Sequence, residues 1–242
     1  MTNKENIRRT QLRYQHFVYC NINDCMLHDE LIKCAIDEID NKKWGVVEEF
    51  FKIHDILYSG DEPQIDRIDT EKDDDTAIVY FPVKDEKFHL AMYLSTKSGI
   101  AIKGVSVESR NEVYFMAYSE TYSCGELSQM TNLKPTEEKN IGDQKKFGKS
   151  VYKESWIAFE PNPEPDEFED KLNKLLDFLE HDKAGVKRLV DNANGSIKAQ
   201  IVFHNGNTIL GGPQISRRNI QRMASLNLEI NFDLYAEGNK WE

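Results

Sequence analysis

Histidine and cysteine near the start are the first side chains here whose types and spacing could do chemistry. His16, Cys20, Cys25 and His28 form H-x3-C-x4-C-x2-H, and imidazole and thiolate both bind zinc. On a strand, His16 and Cys20 would share a face. The gap between the cysteines is the loosest a zinc knuckle takes, and the histidine spacings match no common finger. No metal is therefore expected: Cys20 packs as a small apolar residue, and His28 lies on the surface near a helix start. Asp69, Glu71, Asp73 and Asp75 alternate like calcium-loop ligands. Asp74 stands where that loop needs glycine and Tyr80 where it needs glutamate, so a solvated acidic loop is expected. Cys124 lies beside a helix start, which can activate a thiol, but no histidine is near it in sequence. It reads as a buried, inert thiol. The stretch from His204 to Pro213 is glycine-rich but lacks both the G-K-[ST] ending and the G-x-G-x-x-G pattern of phosphate-binding loops. Asn205-Gly206 reads instead as a hairpin turn. No G-x-S-x-G elbow occurs. These readings leave no catalytic residue and no cofactor to assign.

Charge is the more informative property. Asp and Glu number 42 against 31 Lys and Arg, giving a net charge of -11. Such a chain repels nucleic-acid phosphates and attracts basic proteins. Between residues 60 and 76, eight carboxylates face only Arg67 and Lys72. Glu160, Glu164, Asp166, Glu167, Glu169 and Asp170 form a second acidic stretch. A locally basic loop carries Lys134, Lys139, Lys145, Lys146, Lys149 and Lys153 against Glu137, Glu138 and Asp143, which is weak evidence for nucleic acid. The expectation is a protein partner, a basic one, held through Asp66, Asp69, Asp73, Asp74 and Asp75. Neither nucleic acid nor membrane is expected. The start has no apolar core of signal-peptide length, and no run reaches the length of a membrane span. Four cysteines, three of them clustered, do not make a disulfide framework. A cytoplasmic protein with reduced thiols is the expectation.

Periodicity places these residues on elements. Tyr14 to Ile22 alternates like a strand, and Asn23 or Asp24 offers a helix cap. Leu31, Ile32, Ala35, Ile36 and Ile39 share a helical face. Val47, Phe50 and Phe51 predict a second helix ending near Tyr58. Strands follow at Ala77–Val83, Lys87–Ser95 and Ile100–Glu108, with turns at Lys84-Asp85-Glu86 and Lys97-Ser98-Gly99. Ser109 to Asn111 is the expected boundary between an N-terminal helix-plus-meander module (1–109) and a C-terminal α+β module (110–242). In the second module, Ser123-x-x-Glu126 is a capping box. Val151–Phe159 predicts a strand around Trp156. Phe168, Leu172, Leu175, Leu176 and Leu179 give the strongest helix signal in the chain. Ile197, Ala199, Ile201 and Phe203 then predict a strand, and Ser216 caps a further helix. A last strand sets Leu228, Ile230, Phe232 and Leu234 on an apolar face. The fold class is α+β: a helical front and antiparallel meander, then a ferredoxin-like β-α-β-α-β-α-β module.

Several segments also resemble one known family. They are Glu112-Val-Tyr-Phe-Met-Ala-Tyr-Ser119, Leu133-Lys-Pro-Thr136, Ile141-Gly-Asp143, Ser155-Trp-Ile157, Ile215-Ser216 and Leu228-Glu-Ile-Asn-Phe-Asp-Leu-Tyr235. Together they resemble the bacterial domain of unknown function 4279, over about the C-terminal half. That resemblance implies no established activity and no site residues. With the acidic surface and the missing catalytic signatures, it leads to the expectation of a non-catalytic protein-binding module in a bacterial cytoplasm. An immunity protein that neutralises a basic toxin is its specific form. An enzyme, or a regulatory protein that binds a small ligand, is the alternative.

Overall fold

The computed structural model describes residues 22–146, 148–206 and 211–240, with side chains from residue 26 onward. The strand expected from Tyr14 lies outside the described residues, as do His16 and Cys20. Helix α1 (Ile22–Asn41) already contains Asn23 and Asp24, so neither stands before it as a cap. Leu31, Ala35 and Ile39 recur every fourth residue, fall on one face of α1 and are buried. Glu38 accepts a hydrogen bond from the Trp44 N–H at 2.7 Å and closes the turn into α2 (Gly45–Ile53). The second helix stops five residues before Tyr58, because His54 is extended at φ -136 and ψ 160. Its imidazole is drawn into a buried pair with His204.

A two-residue ladder follows, β1 (Tyr58–Ser59) with β2 (Glu62–Pro63). Next come β3 (Arg67–Asp69), β4 (Thr76–Pro82), β5 (His89–Ser95) and β6 (Ala101–Glu108), an antiparallel sheet in order β3-β4-β5-β6. The turns between β4, β5 and β6 use left-handed residues, Asp85 at φ 62 and Gly99 at φ 111. Every residue of β4 is buried. Ala77, Val79 and Phe81 pack with Leu31, Ala35, Val47 and Phe50 of the two helices. Ile78 and Tyr80 lie on the other face with Ala91 and Tyr93.

Only Ser109 separates β6 from β7 (Arg110–Ser119). The remaining elements are α3 (Cys124–Gln129), β8 (Glu137–Lys139), β9 (Ser155–Phe159) and α4 (Phe168–Leu179). A 3-10 turn, Glu180–Asp182, joins α4 to α5 (Lys183–Ala193), and β10 (Ser196–His204), α6 (Arg217–Ser225) and β11 (Ile230–Glu237) complete the chain. The expected capping box at Ser123 is formed in both directions. The five-stranded sheet runs β11-β10-β7-β9-β8, antiparallel except for the β10–β11 pair. The apolar face of α4 covers Phe115, Phe159, Ile197 and Ile201.

Three expectations fail locally. Asn205-Gly206 does not turn a hairpin: the neighbours of β10 are β7 and β11, and the chain returns to β11 only after α6. Val151 makes one isolated bridge to Gln144, and the strand proper begins at Ser155. In β11 the apolar face is not buried: Phe232 is 36% and Leu234 56% exposed. The strand lies at the sheet edge, where Phe168 of α4 packs 5.7 Å from the Phe232 ring but leaves Leu234 in solvent.

Candidate functional site

The acidic loop is divided rather than continuous. Asp69 is 2% exposed and lies between Arg67 at 3.3 Å and Lys72 at 3.6 Å. Asp66 is half-buried, 3.2 Å from the His89 ring. Of the five expected aspartates, Asp73, Asp74 and Asp75 stand in solvent, on the turn into β4. Asp74 reaches Lys103 at 3.3 Å, and the left-handed Asp75 accepts the Thr96 N–H. The five aspartates thus do not form one exposed surface: Asp69 balances the inward charges of Arg67 and Lys72, and Asp66 faces His89.

Those inward charges join the two sheets. Arg67 donates to Asp166 at 2.8 Å and to the Pro165 carbonyl at 2.7 Å. Lys72 bonds Glu167 and Asp170 at the start of α4. Lys174 bridges Glu71 at 2.8 Å and Asp166 at 3.2 Å. Burial alone would raise the Asp166 carboxyl, but Arg67, Lys174 and Asn162 outweigh it and hold it below the usual carboxylate range. Beside this cluster the buried Lys171 donates to the Asn162 carbonyl at 2.7 Å. Burial pushes its ammonium down to about 8, against the pull of Glu160 and Asp166. This set is fully paired, and it fixes one sheet on the other.

The side of the five-stranded sheet that no helix covers is different. Strand alternation sends Val113, Phe115 and Ala117 into the core, and Glu112, Tyr114, Met116 and Tyr118 outward. Tyr118 sits directly opposite Trp156 of β9, and Met116 opposite Ala158. Lys198 of β10 sits opposite Tyr114, and Lys139 of β8 opposite Trp156. Tyr152 packs its ring 6.1 Å from Trp156, and Lys145 lies over Tyr152. An uncovered antiparallel face is ordinarily polar. Here two tyrosines, a tryptophan and a methionine, all half-buried, form its centre. Burial raises the Tyr114 hydroxyl's pKa, and Glu112, Asp233, Glu160 and Glu137 raise it further. Carboxylates therefore lie around Tyr114, while Lys198 and Lys139 stand beside Tyr114 and Trp156 on the same face.

At one end this face closes into a groove of about 280 Å³, where Glu112, Gln200, Val202 and Tyr235 meet Lys87 from the β4–β5 turn. Lys87 pairs with Glu237 at 2.8 Å and Arg110 with Glu112, so its charges are already matched. A second hollow, about 360 Å³, lies over His54, Asp55, Lys84 and Glu86. Among the described residues no group of three or more His, Cys, Asp or Glu is placed to hold a metal ion. Cys124 is buried, with its backbone N–H bonded to Asn140. No helix among the described residues is long and apolar enough to cross a membrane.

The sequence held the signal for the open face. Tyr114, Met116 and Tyr118 alternate with core residues, but which side faces solvent needs strand order. Fold and site define an α+β protein whose five-stranded sheet bears helices on one side and, on the other, an aromatic surface flanked by both carboxylates and lysines. Residues 108–237, more than half of the chain, match the family described as Domain of unknown function (DUF4279), and the chain belongs to that family. The matched span begins at the last residue of β6 and ends at the last residue of β11, so it contains the whole five-stranded sheet. No curated protein and no solved structure matches the chain.

Proposed function

We propose that this is a non-catalytic protein-binding module whose uncovered sheet face docks a basic protein. The row of Tyr114, Met116, Tyr118 and Trp156, with carboxylates around Tyr114, carries the reading. Aromatic residues and methionine are enriched at the centres of interfaces, where they supply most of the energy. Tyrosine and tryptophan faces also attract lysine and arginine, and the surrounding Glu112, Glu137, Glu160 and Asp233 favour the same partner. Asp73, Asp74 and Asp75 contribute at long range, raising the association rate more than the contact energy. Strand order β10-β7-β9-β8, with all neighbours antiparallel, supports a ferredoxin-like core to which α6 and β11 are added. A cytoplasmic immunity protein against a basic toxin is the form of this function that charge complementarity favours.

Affinity capture from cell extract, followed by binding kinetics on the retained protein, tests the reading. A basic partner should be held by the wild type and bound at least about tenfold more weakly by Tyr118→Ser with Trp156→Ser. Replacing Asp73, Asp74 and Asp75 by Asn should slow association at low salt and leave dissociation unchanged. Equal binding by the Tyr118→Ser/Trp156→Ser protein would refute the docking face.

A further inference from the structure

The four edges of the two larger sheets are not alike. Strands β3 and β8 have three residues each, and charged side chains stand on both. Strand β6 has a register break opposite Tyr93 and Leu94 and carries Lys103. Such features keep edges from pairing with other chains. Strand β11 lacks most of them: eight regular residues, Ile230-Asn-Phe-Asp-Leu-Tyr-Ala-Glu237, without proline, lysine or register break, and with Asp233 and Glu237 as its charges. No described strand pairs with its outer side.

The hydrogen bonds show which groups face outward. Ile197 donates its N–H to the Glu229 carbonyl, and Asn205 donates to the Glu237 carbonyl, in a parallel register that sets Ile197 beside Ile230. Parallel pairing therefore turns the odd-numbered residues of β11 toward β10. Ile230, Phe232, Leu234 and Ala236 then point their N–H and C=O groups away from the sheet. The same four residues place their side chains on the helix side, since Phe232 pairs with Ala199 and Leu234 with Ile201 of the core. Leu234 is 56% and Tyr235 49% exposed.

We propose that β11 pairs antiparallel with β11 of a second copy of this chain, about a two-fold axis through Phe232. The argument is self-complementarity. A two-fold axis perpendicular to the sheet keeps each side chain on its own face, so the axis must pass through a residue. Centred on Asp233, the ladder sets Asp233 against its own copy and Glu229 against Glu237, and like charges directly opposite destabilise a sheet. Centred on Leu234, it sets Ile230 against Gly238, which has no side chain and a φ of 93. Centred on Phe232, it meets neither obstacle. Phe232 then faces Phe232, and Ile230 faces Leu234, each exchanging both N–H and C=O. On the opposite side Asn231 faces the Asp233 carboxylate and Tyr235 faces Glu229, two donor–acceptor pairs repeated by symmetry. The result is one continuous sheet with both aromatic faces on the same side. This pairing stands whether or not the proposed partner binds there.

Sedimentation of the full chain against concentration tests the pairing. The wild type should be a reversible dimer. Asn231→Lys should tighten it and Asn231→Asp loosen it, each by about tenfold, because the new charge faces Asp233 of the other copy twice. Leu234→Pro should leave a folded monomer by circular dichroism, since the lost N–H does not bond to β10. A monomer at every attainable concentration would overturn the proposal. So would a dimer indifferent to all three substitutions, or a monomer that instead takes up a foreign strand.

Discussion

At the scale of single residues, the buried charges decide more than the exposed ones. Asp166 has no exposed side-chain surface and meets Arg67, Lys174 and Asn162. Breaking a buried pair strands the remaining charge, at a cost of about 3–5 kcal/mol. Asp166→Ala should therefore lower stability by that amount in urea titration, whereas neutralising Asp73, Asp74 and Asp75 should change it little. The sign of the pH effect follows from the depressed carboxyl of Asp166. Its contribution is complete above the ordinary carboxylate value of about 4 and is lost as pH falls through the lower folded value. Asp166→Asn should flatten the stability curve in that acid window. A curve that keeps its acid limb in Asp166→Asn would assign the limb to other carboxylates.

At the scale of elements, helices and strands were largely legible because they depend on local pattern. Phe168, Leu172, Leu175, Leu176 and Leu179 define α4 by spacing alone, and all five are buried. The capping box at Ser123 and the cap at Ser216 are likewise local chemistry. What was not legible depends on strand order. Phe232 and Leu234 look like core residues in one strand, and only their place at a sheet edge exposes them. Asp69 looks like a surface acid until α4 brings Asp166 beside Arg67. Another unread contact is Asp182, the N-cap of α5, which accepts from Gly185 N–H at 2.9 Å, Asn132 N–H at 2.6 Å and Thr131 hydroxyl at 3.0 Å. It therefore both caps a helix and ties down the segment after α3. Asp182→Ala should cost about 2 kcal/mol, the upper end for a cap, read as a shift in urea midpoint with unchanged m. Asp182→Asn keeps the oxygen and should recover about half. Gly185→Ala should be harmful for the same reason, since a Cβ there would meet the Asp182 carboxylate at 2.1 Å.

At the scale of the whole molecule, the two sheets are joined by the ion cluster around Asp166 and by a histidine contact. His54 and His204 lie 150 residues apart in sequence, with their Nε2 atoms 2.9 Å apart. One imidazole must donate and the other accept, so the contact suits a neutral pair. Phe88 packs edge-on against both rings. Burial lowers the basicity of each, and the proximity of His204 lowers that of His54 further. A histidine with a lowered folded value takes up protons later than in the unfolded chain, whose value is about 6.5. Stability is therefore unaffected above that pH and falls as pH drops below it, by at most about 1.4 kcal/mol per pH unit for each ring. Acid should then act in two stages: the histidine contact yields below about pH 6.5, and the carboxylates around Arg67 only below about pH 4. Urea midpoints measured between those values should decline in the wild type and stay level in a His54→Gln/His204→Gln protein, whatever its stability at neutral pH. A decline that survives the double substitution would locate the upper stage elsewhere.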